Sequence, residues 1–477
     1  MDIFDNEFDD SSSFNGELEK ALEAGYGTDA ANFTQGRALQ REDLEATLVS
    51  VLDVKQNDCK VFHKLHKQPV SSTVHQVNRQ TSVGDDEFLF VGEGDLATED
   101  DPVFQRKIYE TKYMSSKWQV SHPLSLTNNA ENPINASKVS AVLRVTKGTE
   151  RAIFHGDSSV SPKQYDGLIK ILKDSAANTD VEDKLRATRV DIRGLEIGEK
   201  NSTIDAGEEL FDELSERVLL KGGDLNEAYF PPILASQFKR MYSDRLRFTT
   251  KDSQFTMDKL PNIVTAANQT IKITDDCGVD KMFKVKGPVV ASGDMSKRPN
   301  TPSNLTATPS TASDSNFTDG FAGDYIYAVH AVNAFGISAP KVLSAPVSVA
   351  VGEKVTLTIT PDTNGNAATG YIITRTNAGG TTLMEMVRIP KKGETTTYED
   401  LNNDLPGTAQ VVLLTSTTDD LAQNLSFAQL MGISNFDLPT DSSLAHRGVV
   451  ALYGTLEVRA PEFCALIDNV GYKGGLY

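Results

Sequence analysis

Cysteine and basic residues are both scarce in this 477-residue chain, and each scarcity argues against a class of protein. The three cysteines (Cys59, Cys277, Cys464) lie far apart and never form CxxC, which argues against a disulfide framework and against a cysteine zinc site. Lys and Arg number 47 against 66 Asp and Glu, a formal net charge of −19. A chain this acidic is repelled by nucleic acid unless its bases gather in one place. No stretch approaches the roughly 18 to 20 consecutive apolar residues that a bilayer crossing needs. The opening MDIFDNEFDD is acidic where a secretory signal would be basic and then apolar. What remains implies a soluble, cytosolic, multidomain protein. Hydrophobic residues at 39% are enough for a real core, and the length suits about three domains.

The first 24 residues carry eight acids and one base, Lys20, a composition that suits a solvated arm. Leu44, Leu48, Val51 and Leu52 then share one helical face. From Val70 the pattern alternates apolar and polar, passes through a Gly/Asp-rich stretch at Val83–Asp95, and resumes as a second β-prone run from Lys107. This predicts a long two-stranded excursion with an elaborated tip. It holds too few apolar residues for a core of its own, and a lone hairpin is marginal in water, so it must pack on something else. The clearest helix is predicted over Asn135–Phe154, introduced by Asn132-Pro133 and stopped by Gly156 in a C-cap role. A second helix is expected over Glu209–Lys221, and a third is capped by Ser236 after a short buried strand at Ala228–Ala235. Between Thr301 and Thr408 there are 18 threonines and almost no helical period, so this block reads as an all-β sandwich. Its strands are predicted at Tyr325–Val332, Val355–Thr360, Tyr371–Arg375 and Met384–Ile389, inserted into an α+β host. Helical character is expected to return at Leu421–Met431.

A search for chemistry is negative. His155-Gly-Asp-Ser-Ser lacks a GxSxG elbow and sits where a helix ends. Cys59, His63 and His66 could offer zinc ligands, with the histidines three apart as on a helix face, but no fourth ligand follows and Pro69 ends the helix. Gly92-Glu-Gly-Asp has neither the GK[ST] of a phosphate loop nor a full GxGxxG. The acid pairs Asp275-Asp276 and Asp419-Asp420 read as solvated loops, and Lys391-Lys392 is too small a patch for nucleic acid. No catalytic, cofactor-binding or metal-ligating residue is assigned, and no cofactor is implied. A large chain with no site, a hairpin needing an outside partner and a core split by an insertion is the profile of an assembly subunit.

The order of parts strengthens that reading. An arm, an extended loop and a long helix ending Phe154-His-Gly-Asp are followed by Tyr165-Asp-Gly-Leu. The chain then closes with Ala451-Leu-Tyr-Gly-Thr-Leu-Glu-Val-Arg-Ala-Pro-Glu-Phe and Ile467-Asp-Asn-Val. This resembles the major capsid proteins of tailed bacteriophages, the Hong Kong 97 fold, and is most similar to those of large myophages of the Twort type. The resemblance implies an N-terminal arm over 1–58, the start of the P domain over 59–71, and an E-loop over 72–121 reaching over a neighbouring subunit. It implies a P domain with its spine helix over 122–172, an A domain over 173–300 that returns over 409–448, and a P-domain return strand over 449–477. The insertion, 301–408, resembles an immunoglobulin or fibronectin type III domain through Tyr325–Pro340, Val355–Ile359 and Gly370–Thr376, although the motifs come in the reverse of the fibronectin order.

The implied partners are other copies of the chain in hexamers and pentamers, a separate scaffold, a portal and decoration proteins. The implied contents are double-stranded DNA held without sequence-specific contacts, and the implied location is the virion. An acidic wall suits a polyanion that must be packed and later released. Within the hairpin, Phe88, Phe90, Val91 and Trp118 are the candidate inter-subunit contacts. An encapsulin-like compartment of the same fold and a sandwich-bearing adhesion protein are the alternatives.

Overall fold

The computed structural model describes residues 59–472, except 85–89, 92, 95, 97–100, 128–131, 202–203, 242–247, 252–253, 258–261, 267–268, 273–279, 416–423 and 440–443. The expected arm with its Leu44–Leu52 face, Phe88, Cys277 and the acid pairs Asp275-Asp276 and Asp419-Asp420 lie outside the described residues. Two host sheets, a sandwich and a two-stranded hairpin are its main parts.

The long helix forms as its sequence dictates. Asn132 accepts the Ile134 N–H through Oδ1 (3.0 Å), Pro133 occupies the first turn, and the helix runs Pro133–His155. One stripe, including Ala141, Val145, Ile153 and Phe154, is buried. It packs on a four-stranded sheet ordered His66–Pro69, Leu425–Leu438, Ala445–Val458 and Lys112–Ser121, in which only the His66–Pro69 edge runs parallel to its neighbour. The helix ends at Gly156, but not through a left-handed cap, because Gly156 has φ −61° and ψ 139°. Glycine is needed there for a close approach: a Cβ would stand 2.4 Å from the Tyr165 carbonyl oxygen. Gly167 faces it and donates its N–H to the Gly156 carbonyl at 2.9 Å. This accounts for Tyr165-Asp-Gly-Leu as a unit. Tyr165 donates its hydroxyl to the Thr149 carbonyl (2.8 Å), Asp166 accepts the Ser158 N–H (2.8 Å), and fully buried Leu168 opens the helix Leu168–Ala177.

The second host sheet has six strands, ordered Thr188–Asp191, Ala465–Val470, Ala409–Leu414, Glu227–Tyr229, Thr270–Lys272 and Asn262–Val264. The helix Glu208–Leu220 supplies Leu210, Phe211, Leu214 and Val218 to its core. The third unit lies between Thr270–Lys272 and Ala409–Leu414. One of its sheets is ordered Ser292–Gly293, Gly336–Ile337, Tyr327–Asn333, Gly370–Arg375 and Met384–Pro390. The other holds Asn304–Thr311, Glu353–Thr360 and Thr396–Asp400. Along Glu353–Thr360, Val355, Leu357 and Ile359 are buried while the alternating threonines face outward, which is why a threonine-rich segment makes a sandwich wall. The two connections of this unit to the host meet: the Lys286 N–H donates to the Thr408 carbonyl at 3.0 Å.

Several expectations need correction. Leu425–Leu438 is a strand and not the tail of a helix over Leu421–Met431, because it is hydrogen-bonded on both sides within the first sheet, and that pairing overrides its helical spacing. It therefore belongs with the long helix, whereas Ala465–Val470 joins the six-stranded sheet. The expected 409–448 and 449–477 segments are each divided between the two sheets. Lys112–Ser121 also leaves the hairpin: the paired strands are Val74–Ser82 and Val103–Glu110, and Lys112–Ser121 pairs with Ala445–Val458. The strand at Ala228 stops at Tyr229, and the next helix begins at Pro232, with Ser236 inside it, because proline is well suited to a first helical turn.

Candidate assembly surfaces

The hairpin is a two-faced ribbon. Its inner face is tied to its own subunit by polar groups from alternate residues. Arg79 Nη1 donates to both Glu462 carboxylate oxygens at 2.9 Å, and Arg79 Nη2 donates to Gln105 Oε1 at 2.9 Å. The Tyr109 hydroxyl donates to the Val458 carbonyl at 2.6 Å, and Lys107 Nζ to the Arg459 carbonyl at 3.3 Å. Burial, with Arg79 nearby, brings the Lys107 ammonium down to about 8. Burial, with Glu457 nearby, pushes the Tyr109 hydroxyl up to about 12. On the outer face Arg106 donates to Asn78 Oδ1 within the ribbon (3.0 Å), while Val74, Phe104 and Ile108 are exposed, and toward the tip Phe90 and Leu96 are 97% and 95% exposed. That face is mixed, with Val74, Phe104 and Ile108 set among Gln76, Asn78, Gln80, Arg106 and Glu110, so its apolar side chains are exposed in the subunit and are available to a neighbouring molecule.

The sequence-predicted contact residues separate accordingly. Phe90 and Val91 are exposed on the ribbon. Trp118 is 5% exposed and packed within its own subunit, which leaves it little surface to offer a neighbouring copy. It lies opposite Gly448 in the sheet, where a Cβ would come within 2.4 Å of the indole, and its Nε1 donates to Asn435 Oδ1 at 2.8 Å. Lys138 from the long helix sits 4.9 Å above the ring. Cys59, His63 and His66 do not converge either. The helix Lys60–Lys64 ends before His66, which opens a strand, and no metal-binding group of three or more His, Cys, Asp or Glu occurs among the described residues.

Three polar nodes, none legible in the sequence, hold the frame behind this ribbon. Asp468 accepts Lys173 Nζ at 2.8 Å, Arg189 Nη2 at 2.7 Å and Gln410 Nε2 at 2.8 Å. Burial opposes its charge, but Lys173, Lys286 and Arg189 outweigh that and hold the carboxyl well below the usual range. Glu150, buried in the long helix, accepts the N–H groups of Val61 (2.8 Å) and Phe62 (2.7 Å), securing the short helix that follows residue 59. Burial, reinforced by a hydrogen bond to Asp280, pushes its carboxyl far above the usual range against the lowering effect of the two N–H bonds, so this carboxyl pair retains a proton to higher pH than a free carboxylate. The third node joins sandwich to host. Arg193 donates to Asn316 Oδ1 (3.1 Å) and to the carbonyls of Asn316 (3.2 Å) and Asn402 (3.3 Å), while Asn469 Nδ2 donates to the Asn403 carbonyl at 2.8 Å. Arg193, Asn402 and Asn469 are the non-glycine residues with positive φ among the described residues, and all three meet at this seam. Such strain persists only where surrounding bonds over-determine it.

No family model matches the chain. The relatives that it matches nearly end to end are named as major capsid proteins of bacteriophages. The major capsid proteins of Staphylococcus phages S25-3 and K each align with 23% identity over 487 residues, covering 97% of this chain and 96% of theirs. A protein of Enterococcus phage phiEF24C aligns with 24% identity over 473 residues, 96% of this chain and 95% of the relative. Among solved structures, the capsid of cyanophage P-SCSP1u matches at TM-score 0.44 with 10% identity, covering 93% of this chain and 97% of that one. An encapsulin complex of Synechococcus elongatus PCC 7942 matches at 0.38 with 12% identity, covering 92% and 97%. Among the described residues no helix is long and apolar enough to cross a membrane.

Proposed function

We propose that this chain is the major capsid protein of a tailed bacteriophage, and that copies of it close into the icosahedral shell of the virion. The observation that carries this reading is the end-to-end match to phage major capsid proteins, in which neither chain has a large unmatched part. The ribbon supports it physically. Each copy exposes apolar side chains along the ribbon (Val74, Phe104, Ile108, Phe90, Leu96) that its own fold does not cover, and closed symmetry repeats the gain from covering them at every equivalent contact. In the finer reading the subunits form hexamers and pentamers on a separate scaffold around a portal, and enclose double-stranded DNA that they do not read. The inserted unit, which starts before the expected 301 because Ser292–Gly293 pairs with Gly336–Ile337 and is taken as residues 289–405, is an immunoglobulin-like domain displayed on the shell. The chain's function is structural, not enzymatic.

The experiment is negative-stain microscopy and sedimentation of the purified protein, followed by nucleic-acid extraction from any particles isolated from infected cells. Closed shells containing double-stranded DNA are expected. Closed shells that contain protein cargo and no genome would establish the encapsulin reading. A protein that stays monomeric under all assembly conditions would refute both.

A further inference from the structure

A cleft of about 980 Å³ opens between the C-terminal end of the long helix, the segment 281–290 and the sandwich edge around Phe335 and Arg388. In a chain of net charge −19 its lining is unexpectedly basic, with seven Lys and Arg side chains against four carboxylates. Lys170 is paired with Asp174 (3.0 Å), Arg388 with Glu385 (2.6 Å), Lys173 with Asp404 and Asp468 (3.0 and 2.8 Å) and Lys286 with Asp404 (3.5 Å). Arg151 and Lys284 have no ion-pair partner among the described residues, and both stand with Arg388 around His155. Like charges gathered this way repel in the free subunit, and an anionic partner relieves that repulsion. The lip is also apolar: Phe335 is 51% exposed, with Lys163 and Lys297 at 5.9 and 5.7 Å from its ring centroid, and Val290 is 74% exposed.

The chain contains a segment of matching composition. Residues 83–101 carry eight acids and no base, interspersed with Phe88, Leu89, Phe90 and Leu96. Their described members Phe90 and Leu96 are almost fully exposed. Acids meet the cleft's surplus cations, and aromatic residues meet its apolar lip. We infer that this cleft is the seat for the acidic hairpin tip, residues 83–101, of a second copy of the chain. The inference rests on the shell reading and adds to it a specific lock, in which the reach of one subunit ends where another subunit's sandwich joins its host.

Two measurements test it. In the first, assembly of the full-length protein is compared for Arg151→Glu with Lys284→Glu, for Asp85→Lys with Asp86→Lys and Glu87→Lys, and for all five together. Each set alone is expected to cut particle yield at least about tenfold while leaving the thermal transition of the unassembled subunit in place, and the combination is expected to recover much of the loss. Normal assembly of the Arg151/Lys284 variant, or no recovery in the combination, would overturn the lock and leave the shell reading intact. In the second, a labelled peptide of residues 83–101 is titrated into unassembled subunits. Saturable binding that weakens with salt and drops at least about fivefold for the Arg151/Lys284 variant is expected. A peptide that does not bind, that binds equally to both proteins, or that binds only subunits whose own tip has been reversed would refute a seat for a second copy. This assay needs no assembled particle, so it stands even if the wild-type protein forms none.

Discussion

Replacing Trp118 and Phe90 by alanine, separately, should give opposite phenotypes, although both are aromatic residues in the segment that the sequence assigns to one loop. Trp118 is enclosed by its own subunit. Trp118→Ala opens a cavity beside Gly448, leaves Asn435 Oδ1 without its donor and removes the ring beneath Lys138. Truncating a buried large aromatic costs about 3–5 kcal/mol, and the lost hydrogen bond is worth about 1 kcal/mol more. The expected loss, about 4–6 kcal/mol, is a large fraction of the roughly 5–15 kcal/mol that holds a typical fold together. Phe90 is 97% exposed, so Phe90→Ala should change subunit stability by less than about 0.5 kcal/mol. If the ribbon is covered in the shell, the same change removes roughly 1.5–3 kcal/mol of burial at every copy. Urea unfolding of unassembled subunits and sedimentation of assembled material separate the two. Trp118→Ala should fail in the first measurement, and Phe90→Ala only in the second. A Trp118→Ala subunit of normal stability, or normal particles from a protein lacking both Phe90 and the outward-facing Phe104 and Ile108, would refute the two-faced ribbon.

Three further outcomes are expected. The sandwich has its own core, and its two connections are hydrogen-bonded to each other, so a fragment of residues 289–405 should unfold cooperatively, and joining 288 to 406 through a short linker should leave the host folded. Calorimetry of both proteins checks this. Burial and the hydrogen bond with Asp280 raise the Glu150 carboxyl far above its unfolded value near 4.5, so the folded pair holds an extra proton. Its contribution is complete below the unfolded value and declines as pH rises toward the folded one. Glu150→Gln should therefore remove part of the stability loss that the wild type shows between about pH 6.5 and 8, as measured by urea melts at stepped pH. Arg193→Lys keeps the charge but loses the guanidinium fork at the sandwich seam, and should cost about 1–3 kcal/mol and speed proteolysis near residues 286–292 and 402–408. Unchanged proteolysis would show that the seam does not hold the sandwich in place.

What the sequence determined by itself was whatever depends on neighbours along the chain. Asn132-Pro133 fixed the start of the long helix because capping and proline geometry act within one turn. The strands of the threonine-rich block appeared near their predicted positions because alternation with period two needs only a pleated wall to satisfy it. The absence of a catalytic motif and the order of parts resembling a capsid subunit were also legible there. Only the tertiary structure decided which sheet each late segment joins. Leu425–Leu438 carries a helical spacing, yet it became a strand because two partners, His66–Pro69 and Ala445–Val458, offered it hydrogen bonds from segments remote in sequence. Trp118 and Phe90 look alike in the sequence, since nothing local records that Gly448 makes room for one while nothing in the subunit covers the other. The node at Asp468, the buried proton of the Glu150–Asp280 pair and the basic cleft under the sandwich are all built from residues tens to hundreds of positions apart. Charge–charge energies depend on distance through space and on burial, and neither quantity exists until the chain has folded.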